Sequence, residues 1–576
     1  MTGSVTRVPL WFGPASRPLF GWYHAPASAN RRELAVVVCP PLGSEYFNSY
    51  RSLRHLADRL AENGVSALRF DYDGTGNSAG QDEDPGRESA WIESIHAAMA
   101  RLRAESGIEC IGLAGVRMGA TLAALAAQDI EVSCLALWAP CVSGRDYVRE
   151  LKAMDLTSAS ASAGGRDSPD LEAGGCVMTE ETQREIARID LRHAPPRAAR
   201  ILIARRDDRP ERDLRDSWSA PGRRIDQQTL PGLAQMLDVP HHARVPDVAI
   251  DSIVRWIATE VGKAVTNAPD TGTGSPVPDA LFGSVSESFV QFGEGGSLFG
   301  VLTEPADGAA KTTAIVLLSN AGATHHVGPG RLYVLLGRAL SRAGFRCLRL
   351  DLPGLGDSDT GDAGREGEPY IPEATSVIAT ATDAVAHAGV AAPVIVMGLC
   401  SGAHTAFQAA LQLDRRPVTE AVLINPLTFY YRPGMSLDEP ATLPAGHWRR
   451  YASYLGSVHG WSKLLSVDLA VLRRVLRALG PSRASSSPGS APGNSLTGDL
   501  ERATSQGRAL TFVFSRYDPG YDLLVSGAGR AVRRLARSGQ IRLWFIDGAN
   551  HTFDRRGPRA EMIASITSHL SRRHLR

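Results

Sequence analysis

Gly398-Leu399-Cys400-Ser401-Gly402 sets a cysteine at the centre of a G-x-C-x-G pentapeptide. It lies between the apolar run VIVM and AHTAFQAALQL, a helical pattern, so it reads as a sharp strand-to-helix turn. Such a turn lifts its central side chain above the sheet. The flanking glycines let backbone and helix approach where a Cβ would clash. The helix start adds partial positive charge, which favours a thiolate and an oxyanion growing beside it. A nucleophile also needs a base, and the base an orienting acid. Downstream, the strand pattern LTFVFS ends in Arg516-Tyr517-Asp518, and RLWFI is followed by Asp547-Gly548-Ala549-Asn550-His551. Cys400, Asp518 and His551 therefore read as nucleophile, acid and base. The expected oxyanion donors are the backbone N–H of Ser401 and one from the segment 320–323, with Gly322 favoured and Ala321 next. Losing one such donor costs ~10²–10³ in rate.

Each residue also has a plainer reading. Cys400 could be a small buried hydrophobe in an inactive turn. Asp518 could be a helix or turn cap, with Asp522 the nearest substitute, and His551 a surface histidine. His325 and His326 follow the oxyanion segment, so they are candidates for substrate contact or for a structural role. His404, one turn after the nucleophile, suits packing. The runs GTGNSAG and GLGDSD suit turns after strands better than phosphate loops.

The elements that must position these residues occur twice. AVVVCPPLG (35–43) matches AIVLLSNAG (314–322), and LADRLAENGVSALRFDYDGTGNSAG (56–80) matches LGRALSRAGFRCLRLDLPGLGDSDT (336–360). IGLAGVRMGATLAALAA (111–127) matches VIVMGLCSGAHTAFQAA (394–410), CLALWAP matches EAVLINP, and RILIARRDD matches TFVFSRYD. Within each copy, apolar runs too continuous for a half-exposed strand alternate with helical patterns, which implies a mainly parallel sheet covered by helices. Two tandem α/β domains are expected, at 1–261 and 281–576. A Gly/Pro/Thr-rich linker spans 262–280. Polar stretches at 158–175 and 482–495 fall at one matching place in both copies and suggest caps, the second within about 427–500.

The first copy departs at its chemistry. Its turn reads Gly115-Val116-Arg117-Met118-Gly119, and arginine stays protonated. Gln235 stands where His551 does in the second copy, and Asp208 keeps the acid position alone. That copy is expected to be non-catalytic, with Arg117 a candidate anion receptor for a substrate carboxylate or phosphate.

A net charge of +1 argues against nucleic-acid or membrane-surface binding. No apolar run approaches the ~20 residues of a membrane helix, and MTGSVTRVPLWFG has no secretion-signal pattern. The cysteines form no CxxC pair, so neither a disulfide framework nor a thiolate metal site is expected, and a reducing cytoplasm fits. No metal or cofactor is expected. The oligomeric state is left open.

DYDGTGNSAG, LPGLGDSD and GANHTF resemble the serine aminopeptidase-like branch of the α/β-hydrolase superfamily. The resemblance extends over almost the whole chain, twice. SNAGATHHVGPGRLYVLL with GLCSGA is similar to bacterial hydrolase-like proteins found near polysaccharide or secondary-metabolite genes. The resemblance implies acyl-transfer chemistry and no particular substrate. The departure is Cys for Ser, as in dienelactone hydrolases, some thioesterase domains and polyhydroxyalkanoate synthases. A thiolate attacking an ester is itself the better leaving group, whereas against a thioester the two leaving groups are matched. The expected function is therefore an acyl hydrolase or acyltransferase acting on a small-molecule acyl group, such as a carrier- or coenzyme-linked thioester. The competing reading is a silent binding or scaffold protein built from two hydrolase folds. Phe429, Tyr430, Tyr431, Trp448, Tyr451, Tyr454 and Trp461 could line its acyl pocket or pack the cap.

Overall fold

The computed structural model describes the chain apart from residues 1–4, 28–30, 160–168, 210–212, 260–261, 263–278, 307–313, 387–391, 414–417, 436–494, 517 and 576. Most of the expected linker and most of the second cap, with Trp448, Tyr451, Tyr454 and Trp461, lie outside the described residues.

The alternation read from the sequence forms two large sheets. The first contains β1 (Thr6–Phe12), β2 (Leu19–Ala25), β3 (Ala35–Cys39), β4 (Ser66–Phe70), β5 (Ile111–Val116) and β6 (Val132–Trp138). A hairpin, β7 (Leu171–Ala173) and β8 (Cys176–Met178), stands apart before β9 (Ala198–Arg206) and β10 (Arg224–Leu230) complete the sheet. The strand order is β1-β2-β4-β3-β5-β6-β9-β10. The second sheet contains β11 (Ala280–Phe282), β12 (Val285–Phe292), β13 (Leu298–Pro305), β14 (Ile315–Ser319), β15 (Arg346–Leu350), β16 (Val394–Leu399), β17 (Val418–Ile424), β18 (Ala509–Ser515) and β19 (Ile541–Ile546). Its order is β11-β12-β13-β15-β14-β16-β17-β18-β19. In each, the first strands pair antiparallel and the rest run parallel. β14 and β16 are buried at every residue because helices cover both faces. Between β6 and β9, the helices Gly144–Ala159 and Glu180–Arg188 and the β7–β8 hairpin form the insert of the first half.

The halves are joined through equivalent positions. Arg69 at the end of β4 pairs with Asp357 of the second half, and Arg349 of β15 donates from Nη1 to Asn77 Oδ1 of the first at 2.6 Å. Arg69 aligns with Arg349, and Asn77 with Asp357, so the contact is nearly two-fold symmetric. Below it, Trp11, Phe20 and Trp22 of the first half pack with Phe299 and Val301 of the second.

Candidate active site

β16 runs straight into the helix Ser401–Gln412, and Cys400 is the joint, with φ 58° and ψ −114°. That backbone is costly for a side-chain-bearing residue and is held from several sides. The Cys400 N–H donates to Ile424 O at 3.0 Å, and the preceding Leu399 N–H to Tyr333 Oη at 2.8 Å. The glycines are required: a Cβ on Gly402 would lie 2.5 Å from Ser319 O, and one on Gly398 2.4 Å from the Gly402 backbone. The thiol is left half-buried at the carboxyl edge of the sheet.

Asp518 follows β18 and caps the helix Pro519–Arg537, with Oδ1 accepting from Gly520 N–H at 2.9 Å. Its other oxygen, Oδ2, lies 2.7 Å from Nδ1 of His551, which follows β19. The cap reading and the pairing with histidine thus hold together, one carboxylate oxygen for each. The second ring nitrogen, Nε2, is buried without a conventional hydrogen-bond partner. Cys400 acts electrostatically on this imidazole. Burial opposes charge on this imidazole, but Asp518 and Cys400 outweigh it and raise its pKa to about 10.

Two residues that sequence reasoning missed complete the arrangement. Asn425, after β17, has φ 42°. Its Nδ2 donates to His551 O at 2.8 Å and its Oδ1 accepts from Ser515 N–H at 2.9 Å, tying the histidine loop to β18. The signal was present in the matched blocks: Asn425 replaces Ala139 of CLALWAP. Tyr370 interacts through its hydroxyl with the Cys400 sulfur. Burial first, then Cys400, pushes that hydroxyl above its ordinary pKa, so it stays a donor. Its ring stacks on Tyr431 at 4.4 Å and meets His404 edge-on at 5.3 Å. No motif flagged Tyr370, because it lies on a loop with no periodic pattern. His404 and Tyr431 also line a cavity of about 330 Å³ with Ile371, Thr405, Gln408 and Arg432. Burial lowers the His404 pKa to about 4, so that ring is neutral near pH 7.

Other expectations need correction. The Gly322 N–H donates to Ser401 Oγ at 2.9 Å, so it is not open to an acyl oxygen in this arrangement. Ala321 is buried beside it. His325 and His326 do not line the site; they are buried between the halves. His325 stacks on Tyr50 at 3.7 Å, and His326 bonds Asp351 Oδ2 through Nδ1 at 2.7 Å and Asn77 Nδ2 through Nε2 at 3.0 Å. Sequence proximity to the oxyanion segment misled, since the chain turns from the sheet edge into the contact between halves. His326, Asp351 and Asp357 come within 4.8 Å of one another, as metal ligands would, but Asn77, Arg69 and Tyr50 already engage them.

Two family models match the chain: "Serine aminopeptidase, S33" over residues 35–198 and "Alpha/beta hydrolase family" over residues 315–562. Each covers part of one sheet, and the second contains Cys400, Asp518 and His551. The chain belongs to the α/β-hydrolase superfamily, as a tandem duplication. No curated protein matches this α/β hydrolase. Among solved structures, it is similar to Est1E from Butyrivibrio proteoclasticus with ferulic acid bound. The two are 17% identical over 43% of this chain and 97% of that one, with a TM-score of 0.32. A lidless α/β serine hydrolase from Xanthomonas campestris is 18% identical over 45% and 96%, TM-score 0.28. A serine hydrolase homologue from Coxiella burnetii is 17% identical over 45% and 98%, TM-score 0.28.

The first hydrolase domain keeps the turn without the chemistry group. Arg117 has φ 54° and ψ −122°, nearly the angles of Cys400. Its Nε lies 2.9 Å from Glu45 and its Nη2 2.6 Å from Glu150, and it is 6% exposed. Two carboxylates therefore occupy the guanidinium, which corrects the expectation of an anion receptor. Asp208 bonds Arg206, and Gln235 is exposed on a short helix. Among the described residues of this α/β hydrolase, no helix is long and apolar enough to cross a membrane.

Proposed function

We propose that the second domain is an acyl hydrolase or acyltransferase working through an acyl-Cys400 intermediate, and that the first domain has no chemistry of its own. The observation that carries this reading is the 2.7 Å contact between His551 Nδ1 and Asp518 Oδ2, with Cys400 acting on the same imidazole.

His551, its pKa raised to about 10, carries a proton near neutral pH, and the attacking form of a cysteine is its thiolate. The sulfur attacks the acyl carbonyl, forming a C–S bond and a tetrahedral oxyanion beside the helix start at Ser401. Collapse breaks the bond to the leaving thiol, which takes the proton from His551. Neutral His551 then removes a proton from water, an alcohol or an amine, which attacks the acyl-cysteine. Cys400 leaves as thiolate and His551 is again protonated. Asp518 fixes the tautomer and orientation throughout. The Tyr370 hydroxyl donates to the sulfur when it is negative. A thioester suits this site because its leaving group matches the nucleophile, and the intermediate stays energy-rich enough to transfer.

The test is intact-protein and peptide mass spectrometry after incubation with acetyl, butyryl and octanoyl N-acetylcysteamine thioesters. The expected result is one added acyl mass on the Cys400 peptide, slowed strongly in His551→Ala. No acylation of Cys400 by any of the three would overturn the proposal in favour of a silent scaffold.

A further inference from the structure

Just beyond His551 stand Arg555, Arg556 and Arg559. None has a part in the acyl chemistry, yet all three are held by the first domain. The helix Arg556–His574 begins without a side-chain cap of its own. Its first N–H groups need acceptors. Glu172, in β7 of the first domain, supplies one: its Oε2 accepts from the Arg556 N–H at 2.9 Å. Placed there, a carboxylate also meets the positive end of the helix dipole. Asp155, in the helix Gly144–Ala159, pairs with Arg555 at 3.0 Å, the two side chains being only 7% and 17% exposed. Arg559 donates from Nη1 to Gly175 O at 2.8 Å, at the hairpin tip, and to Gly330 O at 2.7 Å. Gly175 and Gly330 touch backbone to backbone, since a Cβ on Gly175 would lie 2.8 Å from Gly330 Cα.

The insert of the first domain therefore grips two segments that bracket the candidate site. One is the loop 547–555 carrying His551. The other is the segment that runs from the oxyanion loop to Gly330. The histidine loop needs such support: Phe553 is 1% exposed and holds φ 54°, a strained backbone for a bulky residue. Asn425 anchors the loop on the sheet side, and Glu172 and Asp155 anchor its far end.

We infer that the first domain is an intramolecular positioning subunit, in which Glu172 and Asp155 hold the loop 547–556 so that His551 stays between Asp518 and Cys400. This rests on the acyl-cysteine reading above. It also accounts for a domain that keeps its fold and its insert without a nucleophile.

The test compares full-length wild type with Glu172→Gln, Asp155→Asn and the double variant. Amide hydrogen exchange in 547–556 should quicken at least 10-fold in the double variant, with exchange in β16 and β18 unchanged. Turnover of the N-acetylcysteamine thioester should lose about 10-fold in kcat with KM held within two-fold, and Glu172→Asp should recover part of it. Unchanged exchange in 547–556 would overturn the inference, as would faster exchange with kcat intact. Exchange needs no substrate, so it reports on the latch even if Cys400 never acylates, and the two proposals fail separately.

Discussion

Arg349 of the second domain donates to Asn77 of the first across 272 positions of the chain, at 2.6 Å. The same guanidinium faces Glu287 at 3.0 Å, and Glu287 is also held by Arg338, whose Nη2 reaches Asn77 O at 2.6 Å. A fully buried carboxylate between two buried arginines thus ties the sheet of one domain to a loop of the other.

That cluster predicts an acid-sensitive interface. Burial opposes charge on Glu287, but Arg338 and Arg349 overcome it and hold its pKa at about 2. A depressed carboxylate stabilises the fold above its unfolded value of roughly 4.3, and that contribution fades as pH falls toward 2. Glu287→Gln should cost about 3–5 kcal/mol at pH 7, because two buried arginines lose their partner. It should also flatten the stability loss between about pH 4.5 and 2. Urea unfolding at a series of pH values measures both; an unaltered acid limb refutes the assignment.

Asp518 and His551 predict the alkaline limb of activity. The imidazole is raised to about 10, so the stabilisation from its charge is complete below its ordinary value of 6.5 and is lost as pH rises through 10. Asp518→Asn removes the charge and replaces one of the two accepting oxygens with an NH2 donor. Alkylation of Cys400 by iodoacetamide should then lose its dependence on the imidazolium nearer neutrality. Turnover should fall about 10³-fold or more, through the wrong tautomer. A pH–rate profile that keeps its limb near pH 10 in the variant would count against the pairing.

Tyr370→Phe keeps the ring between Tyr431 and His404 and removes only the hydroxyl on the sulfur. A hydrogen bond to a charged group contributes about 1.5–3 kcal/mol, so acylation should slow by roughly 10- to 100-fold. Thermal stability should barely change, since ring packing is preserved. Single-turnover acylation followed by mass spectrometry separates this from a binding effect; a wild-type rate in the variant removes Tyr370 from the chemistry.

Much of this was legible before any fold was known. The duplication, the alternation of strands and helices, and the G-x-C-x-G turn are local patterns, repeated in the same order. Cys400, Asp518 and His551 could be picked out because each sits just past a recognisable strand, and parallel strands deliver such ends to one edge of a sheet. Arg117 was visibly wrong for a nucleophile, because its side-chain chemistry alone excludes it. What only the tertiary structure decided concerns partners far apart in the chain. His325 and His326 belong to the contact between domains, Gly322 spends its N–H on Ser401, and Arg117 is occupied by Glu45 and Glu150. Glu172 caps a helix that begins 384 positions later. Such pairings leave no period or motif in either segment, because each is set by how two finished sheets pack rather than by neighbours along the chain.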